Sequence, residues 1–245
     1  MYKGLKILAI APVLNEQEKI QRVVERTPRS IVDEVLVVDD GSSDNSAKVA
    51  QAAGGTVLPL GRTVGVGAAI RAGFDYAKSH GFDVAVVMAG NNKDSPEEID
   101  RLLEPIVEDR ADFVQGSRFL NENRDFGPMP VYRKVATRLH PILFSLVAGK
   151  RVSESTNGFR AVRISILSDQ RLNLDQEWLN EYELEPYLYL RVIKLGYRTT
   201  EVPVTKVYPP KALGQTKMKP ITGWWSMLRP LLRVALHIDK SSRRA

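Results

Sequence analysis

The stretch Glu34-Val35-Leu36-Val37-Val38-Asp39-Asp40-Gly41-Ser42-Ser43-Asp44 decides the fold class. Its aliphatic half has no polar alternation, the pattern of a strand buried on both faces, as in a parallel sheet. It ends on two carboxylates and a glycine, which turn the chain, and Ser46 to Ala53 follows as a short helix. The same unit repeats in both directions. Upstream, Lys6 to Val13 (KILAIAPV) is a second buried strand, followed by helical spacing over Glu16 to Arg26. Downstream come a strand at Thr56 to Leu60, a helix at Gly67 to His80 and a strand at Asp83 to Met88. Ser95 to Glu108 reads as a helix with Ser95 as N-cap, Pro96 at its first position and acids in its first turn. Phe113 to Gly116 is a short strand. This alternation specifies an α/β fold, a mostly parallel sheet flanked by helices. Ligands of such sheets sit beyond the C-terminal strand ends. Polar residues gather there: Asn15 and Glu16, Asp39 and Asp40, and Asn91 to Asp94.

The second half is less regular. Pro130 to Leu146 has helical character with a kink expected at Pro141, and Ser153 to Phe159 is a loop. Glu183 to Leu195 is a helix closed by Gly196, and Thr199 to Val204 is a strand. Pro209 to Pro220 forms a connector rich in Pro, Gly and Lys, and Ile221 to Lys240 is helical again. The simplest parse is one domain over 1–205 with a basic, amphipathic helical appendage over 206–245.

Charge sharpens that division. The 245 residues carry 35 Lys and Arg against 29 Asp and Glu, a net charge of +6. From Lys206 onward there are nine basic residues and one acid, so the tail holds +8 and the body is close to neutral. A nucleic-acid binder working through its main domain is therefore excluded as the first expectation. The absence of cysteine removes disulfides, thiolate metal sites and cysteine nucleophiles. His80, His140 and His237 lack any paired-ligand spacing, which argues against a zinc enzyme. The first apolar run is not followed by a small-residue cleavage site, and no run reaches about 18 apolar residues. A cytoplasmic location is the expectation.

Two segments have chemistry of their own. A carboxylate at the end of the Val37-Val38-Asp39-Asp40 strand can accept hydrogen bonds from a nucleobase or a ribose. Equally, both acids can serve as turn and cap residues. Gly61 to Gly73 (GRTVGVGAAIRAG) is glycine-rich but fails the dinucleotide fingerprint, because Ile70 stands in the third glycine's place.

Taken together, several segments resemble the family 2 glycosyltransferases of the GT-A, Rossmann-like fold. They are Pro12-Val13-Leu14-Asn15-Glu16, the VVDDGSSD run, Gly65-x-Gly67-x-Ala69-x-x-x-Gly73 and Gly116-Ser117-Arg118. Thr156-Asn157-Gly158-Phe159-Arg160-Ala161, Gly196-Tyr197 with Glu201-Val202-Pro203-Val204, and Gly214-Gln215-Thr216-Lys217 are similar to its dolichyl-phosphate mannose synthase branch. The resemblance runs from Ile7 to Lys217. It implies an inverting transfer of a hexose from a GDP- or UDP-sugar to a polyprenyl or dolichyl phosphate. It assigns the donor to Pro12, Glu16, Asp39, Asp40, Gly67 and Asn91. Arg118 would reach donor or acceptor phosphate, and Arg133 and Thr137, four apart on one helix face, would grip the acceptor phosphate. Lys217 would close over the phosphates from its loop, and Glu154 would stand where the family has an Asp that could act as a base.

The central departure is Met88-Ala89-Gly90-Asn91-Asn92-Lys93-Asp94. The family places an acid-x-acid pair here to hold Mg²⁺ or Mn²⁺ against the donor diphosphate. Ala89 and Asn91 replace both acids. Two alternatives stay open: Asn91 and Asp94 hold a metal less tightly, or Lys93 supplies the positive charge itself. A soluble or saccharide acceptor, or a nucleotide-sugar binder that has lost catalysis, are the competing functions. Finally, Trp224, Trp225, Met227, Leu228, Leu231, Leu232, Ala235 and Leu236 form a broad apolar helical face beside Arg229 and Arg233. That pattern suits a helix lying on a membrane surface through 221–240, giving a peripherally attached protein. The other reading is a helix packed on the protein's own core.

Overall fold

The computed structural model describes residues 1–120, 129, 131–208, 222–236 and 238. Seven strands form one mixed sheet: β1 (Ile7–Val13), β2 (Glu34–Asp39), β3 (Thr56–Pro59), β4 (Val84–Val87), β5 (Phe113–Ser117), β6 (Arg160–Arg163) and β7 (Thr199–Pro203). Their spatial order is β3-β2-β1-β4-β6-β5-β7. The first four pair in parallel, with Val13 opposite Asp39 and Ile10 opposite Val87, and β1, β2 and β4 are buried on both faces.

β6 is the element that the sequence did not announce. It runs antiparallel between β4 and β5, with Val87 opposite Arg160 and Gln115 opposite Arg160. β5 then pairs in parallel with β7. Because β6 is reversed, its N-terminal end lies at the same sheet edge as the C-terminal ends of β1, β2, β4, β5 and β7. Every chemistry-bearing loop is thereby delivered to one edge.

Side chains alternate across the sheet. Ile7, Ala9 and Ala11 point to one face, with Val35, Val37, Val84 and Val86, under α1 (Gln17–Arg26), α2 (Ser46–Ala52) and α4 (Ile99–Val107). Leu8, Ile10, Leu36 and Val38 point to the other, under α3 (Val66–Ser79), α5 (Val131–Ala148) and α6 (Leu184–Lys194). Both faces are fully buried, so a polar substitution in β1 or β2 has no water to turn to.

The last helix, α7 (Thr222–Ala235), continues through Pro230, and α5 continues through Pro141. The apolar residues of α7 are divided. Met227, Leu231 and Val234 are buried, and Leu231 and Val234 join the same core as β1 and α3. Trp225, Leu232 and Leu236 remain exposed. Arg229 and Arg233 lie over the indole of Trp178, at 5.3 and 4.5 Å from its centroid, and so face the protein rather than the surroundings. The sequence left two readings for this apolar face, a membrane surface or the protein's own core; Leu231 and Val234 take the second and Trp225 and Leu232 stay outside.

Candidate active site

A cavity of about 670 Å³ opens at the common sheet edge, within the range of small-ligand sites. Its floor is Pro12 and Met88 to Asn91, at the ends of β1 and β4. Gly65 and Val66 bound one side, α5 contributes Arg133 and Thr137, and the first turns of α7 close it through Trp224 and Met227.

The acids at the end of β2 divide their work. Asp40 borders the cavity, and its carboxylate accepts from the backbone N–H of Val64 (2.7 Å) and of Gly65 (3.0 Å). It pins the glycine-rich segment to the sheet. Asp39 Oδ1 accepts from the N–H of Ser42 at 3.1 Å, and Asp39 does not border the cavity. Glu16 does, and accepts from Lys19 Nζ at 2.8 Å. Gly67 differs from its sequence assignment. A Cβ there would lie 2.1 Å from the carbonyl oxygen of Leu179, so this glycine serves the close passage of 179–181 over α3, and it does not border the cavity. Gly90 is a second close approach: a Cβ would lie 2.5 Å from Val13 Cγ2 and 2.7 Å from the Pro12 carbonyl oxygen.

Arg118 is 2% exposed, with every nitrogen engaged. Its Nε donates to Glu154 Oε2 (2.5 Å), Nη1 to the Tyr208 hydroxyl (3.0 Å) and Nη2 to Thr156 Oγ1 (3.1 Å). Burial opposes its charge, but the Glu154 carboxylate and the Tyr208 hydroxyl together outweigh it and hold the guanidinium above its ordinary pKa. Glu154 itself is fully buried, and its other oxygen accepts from Thr156 N and Oγ1, both at 2.8 Å. It does not reach the cavity, so it anchors Arg118 and is not placed to act as a base. The loop is fixed from behind by Glu201, which accepts from Ser153 N (2.7 Å) and Glu154 N (2.8 Å). Burial raises the Glu201 carboxyl above the usual range.

Arg133 lines the cavity from α5 with its guanidinium 5.6 Å from the centroid of the Tyr208 ring. Thr137 also lines it, but its hydroxyl donates to the Arg133 carbonyl at 2.7 Å, a bond within the helix. It can offer a ligand only its acceptor lone pairs unless it rotates. Lys217 lies outside the described residues, as does the rest of 209–221.

The fit to a divalent cation can be judged from the donor atoms. Asp94 Oδ1 accepts from Lys206 Nζ (2.6 Å) and Oδ2 from the N–H of Ala89 (2.8 Å). Both oxygens of the candidate ligand are thus engaged. Asn91 Oδ1 is buried without a hydrogen-bond partner, a single neutral oxygen. Lys93, 6% exposed, is in the cavity wall between them. Burial, with Lys206 and Arg133 nearby, lowers its pKa to about 7. No group of three or more His, Cys, Asp or Glu able to hold a metal exists among the described residues. A hard divalent ion at a substrate phosphate takes one or two protein carboxylates beside the phosphate oxygens and water. One amide oxygen beside an ammonium does not meet that requirement.

Lys206, Tyr208 and Asn157 were not singled out by the sequence. Lys206 Nζ bridges Asp94 to Asn157 Oδ1 (2.8 Å), joining the end of β4 to the loop before β6. Only Asn157 had a signal, its place in the quoted Thr156-to-Ala161 motif.

Comparison with known proteins agrees with this arrangement. The chain is 32% identical over 220 residues to an undecaprenyl-phosphate mannosyltransferase of Micrococcus luteus, covering 87% of this chain and 88% of that protein. It is 31% identical to the polyprenol monophosphomannose synthase of Mycolicibacterium smegmatis, covering 87% and 81%. A UDP-N-acetylglucosamine–dolichyl-phosphate N-acetylglucosaminyltransferase of Methanococcus voltae is 27% identical, covering 82% and 86%. Among solved structures, glucosyl-3-phosphoglycerate synthase from Mycobacterium tuberculosis, in complex with Mn²⁺, UDP and glucosyl-3-phosphoglycerate, has the same fold. It superimposes with a TM-score of 0.68 at 19% identity, covering 96% of this chain and 80% of that one. Residues 9–170, which span β1 to β6, match the sequence profile of glycosyl transferase family 2, and the chain belongs to that family.

Proposed function

We propose that this protein transfers a hexose from a GDP- or UDP-sugar to a polyprenyl phosphate, with inversion, at a membrane surface. The observation that carries the reading is the two-sidedness of α5. Its inner face presents Arg133 and Thr137 to the cavity. Its outer face presents Val131, Val135, Leu139, Ile142, Leu143 and Leu146 to the surroundings, with Leu146 75% exposed. A phosphate gripped on one side of the helix is therefore one helix diameter from an apolar surface suited to a bilayer. Lys134 and Arg138 flank that surface and suit anionic headgroups. Trp225 and Leu232 of α7, and Leu236 just after it, are exposed as well. No helix among the described residues is long and apolar enough to cross a membrane, so attachment would be peripheral. Nucleotide-sugars are made in the cytoplasm, which puts the working face there.

The relatives support the acceptor class more firmly than the sugar. Their names give three polyprenyl-type phosphates, but both mannose and N-acetylglucosamine. In the reaction, an oxygen of the acceptor phosphate bonds to the hexose anomeric carbon. The bond from that carbon to the donor's β-phosphate oxygen breaks, and the nucleoside diphosphate leaves with the electron pair. The attacking oxygen is already anionic, so no base is needed and the burial of Glu154 costs nothing. Pro12, Glu16 and Asp40 hold the nucleoside end, with Asp39 behind them. Arg133 and Lys217 orient the acceptor, and Arg118, held by Glu154, adds positive potential from the wall. The rate then rests on positioning and on stabilising the departing charge.

The test is incorporation of labelled sugar into an organic-extractable lipid, using a panel of GDP- and UDP-sugars with polyprenyl phosphate. Transfer with at least one donor, lost in Arg133→Ala, is expected. Transfer to soluble acceptors alone would refute the lipid assignment.

A further inference from the structure

We propose that Lys93 replaces the divalent cation of this site, so that the chain binds its nucleotide donor without metal. The inference rests on the donor assignment above and goes beyond it by naming what neutralises the diphosphate. Four observations converge. The two acids expected at the end of β4 are Ala89 and Asn91. The carboxylate next along the chain, Asp94, is 3% exposed and is occupied by Lys206 Nζ and the Ala89 N–H; of the acids that line the cavity, Asp40 is held by Val64 and Gly65 N–H and Glu16 by Lys19. A backbone bridge between Asp94 and Lys206 ties the two segments together, so the ion pair is built into the fold. Asn91 alone offers a metal one neutral oxygen.

The fourth observation is positive. Lys93 is buried in the cavity wall with its ammonium 5.4 Å from the Tyr208 ring centroid, and Arg133 is above the same ring at 5.6 Å. Glu16, Asp40, Glu181 and Glu185 also line the cavity, but beside the Tyr208 ring two cations come together and make the local potential positive. An incoming dication would be repelled, whereas a diphosphate would be drawn in. Lysine is suited to this use because its ammonium is a compact point charge with rotatable donors. Burying it in an apo protein is costly, and a protein keeps such a charge where a ligand relieves the cost.

The experiment measures binding of UDP and of GDP to the full chain by isothermal titration, in EDTA and in excess Mn²⁺. For the better-bound nucleotide, affinities within about twofold in the two buffers are expected. Lys93→Met is expected to bind it roughly 10- to 100-fold more weakly, with Lys93→Arg recovering part of the loss. Melting curves establish that both variants fold, and the wild-type comparison stands without them. Direct titration of Mn²⁺ by electron paramagnetic resonance should find no site, with or without nucleotide. Mn²⁺-dependent nucleotide binding, or wild-type affinity in Lys93→Met, would overturn this inference and leave the nucleotide-sugar reading intact. Failure of both nucleotides to bind in both buffers would overturn the two together.

Discussion

Replacing Glu154 with Gln should lower the melting temperature by roughly 6–16 °C. Arg118 and Glu154 are 2% and 0% exposed, and their facing atoms are 2.5 Å apart. Neutralising one member of such a pair leaves the other charge in the interior, at a cost of about 3–5 kcal/mol. The hydroxyls of Tyr208 and Thr156 still accept from the guanidinium, so the lower part of that range applies, about 3–4 kcal/mol. In a chain of this size each kcal/mol moves the midpoint by about 2–4 °C. Circular dichroism melts at neutral pH measure the change. The double variant Arg118→Met/Glu154→Leu removes both charges and should regain roughly half of the loss or more, because an apolar pair leaves nothing unsolvated. If Glu154→Gln melts within about 2 °C of the wild type, the pair does not anchor this wall and the argument fails. A double variant that folds but transfers no sugar would show that the arginine's charge also serves the substrate.

Other perturbations test other parts of the structure. Asp40→Ala strands the N–H groups of Val64 and Gly65 and should cost about 2 kcal/mol, with weaker UDP or GDP binding; unchanged affinity would remove Asp40 from the donor pocket. His140 joins α5 to the loop before β6 through Ser155 Oγ (2.7 Å) and to α7 through the Met227 carbonyl (2.9 Å), and burial lowers its pKa. Its folded pKa lies below its unfolded one, so its contribution is complete above about pH 6.5 and is lost as pH falls through the folded value. Melts from neutral to acidic pH should show a steeper decline in the wild type than in His140→Gln. Lys93, with a folded pKa of about 7, works in the same direction. Lys93→Met should exceed the wild-type midpoint by more at about pH 6 than at about pH 9; a constant gap would mean that the lysine is not desolvated. Leu139→Asp/Ile142→Asp should abolish sedimentation with anionic vesicles while leaving the melting temperature within about 2 °C, since both residues are exposed.

β1, β2 and β4 were legible because each is a nearly continuous aliphatic run, and their polar ends do meet at one cavity. β6 was not legible: Arg160-Ala161-Val162-Arg163 is short, begins and ends on arginine, and pairs with strands distant in sequence. The role of Gly67 was equally hidden, because the carbonyl that crowds it comes from Leu179, on the far side of the chain. Spacing found Arg133 and Thr137 on one face of α5 but did not reveal the exposed apolar face behind them, since α5 buries Arg133, Thr137 and His140 and exposes aliphatic residues, the reverse of the usual pattern. In α7 the pattern could not apportion its apolar residues between core and exterior; the contacts of Leu231 and Val234 do. The engagement of Asp94 was not legible because its partner, Lys206, follows the last strand.

The antiparallel insertion of β6 also governs how the chain can be made and cut. β4, four fully buried aliphatic residues, is paired on one side by β1 but waits for β6 on the other. Until residue 163 has been synthesised, Val84–Val87 is an open apolar edge, the kind that recruits strands from neighbouring molecules. A fragment ending after β5 would keep that edge, since β5 reaches β4 only through β6. The nucleotide-binding half therefore cannot be isolated as a well-behaved fragment, and its solubility depends on residues that come much later in the chain.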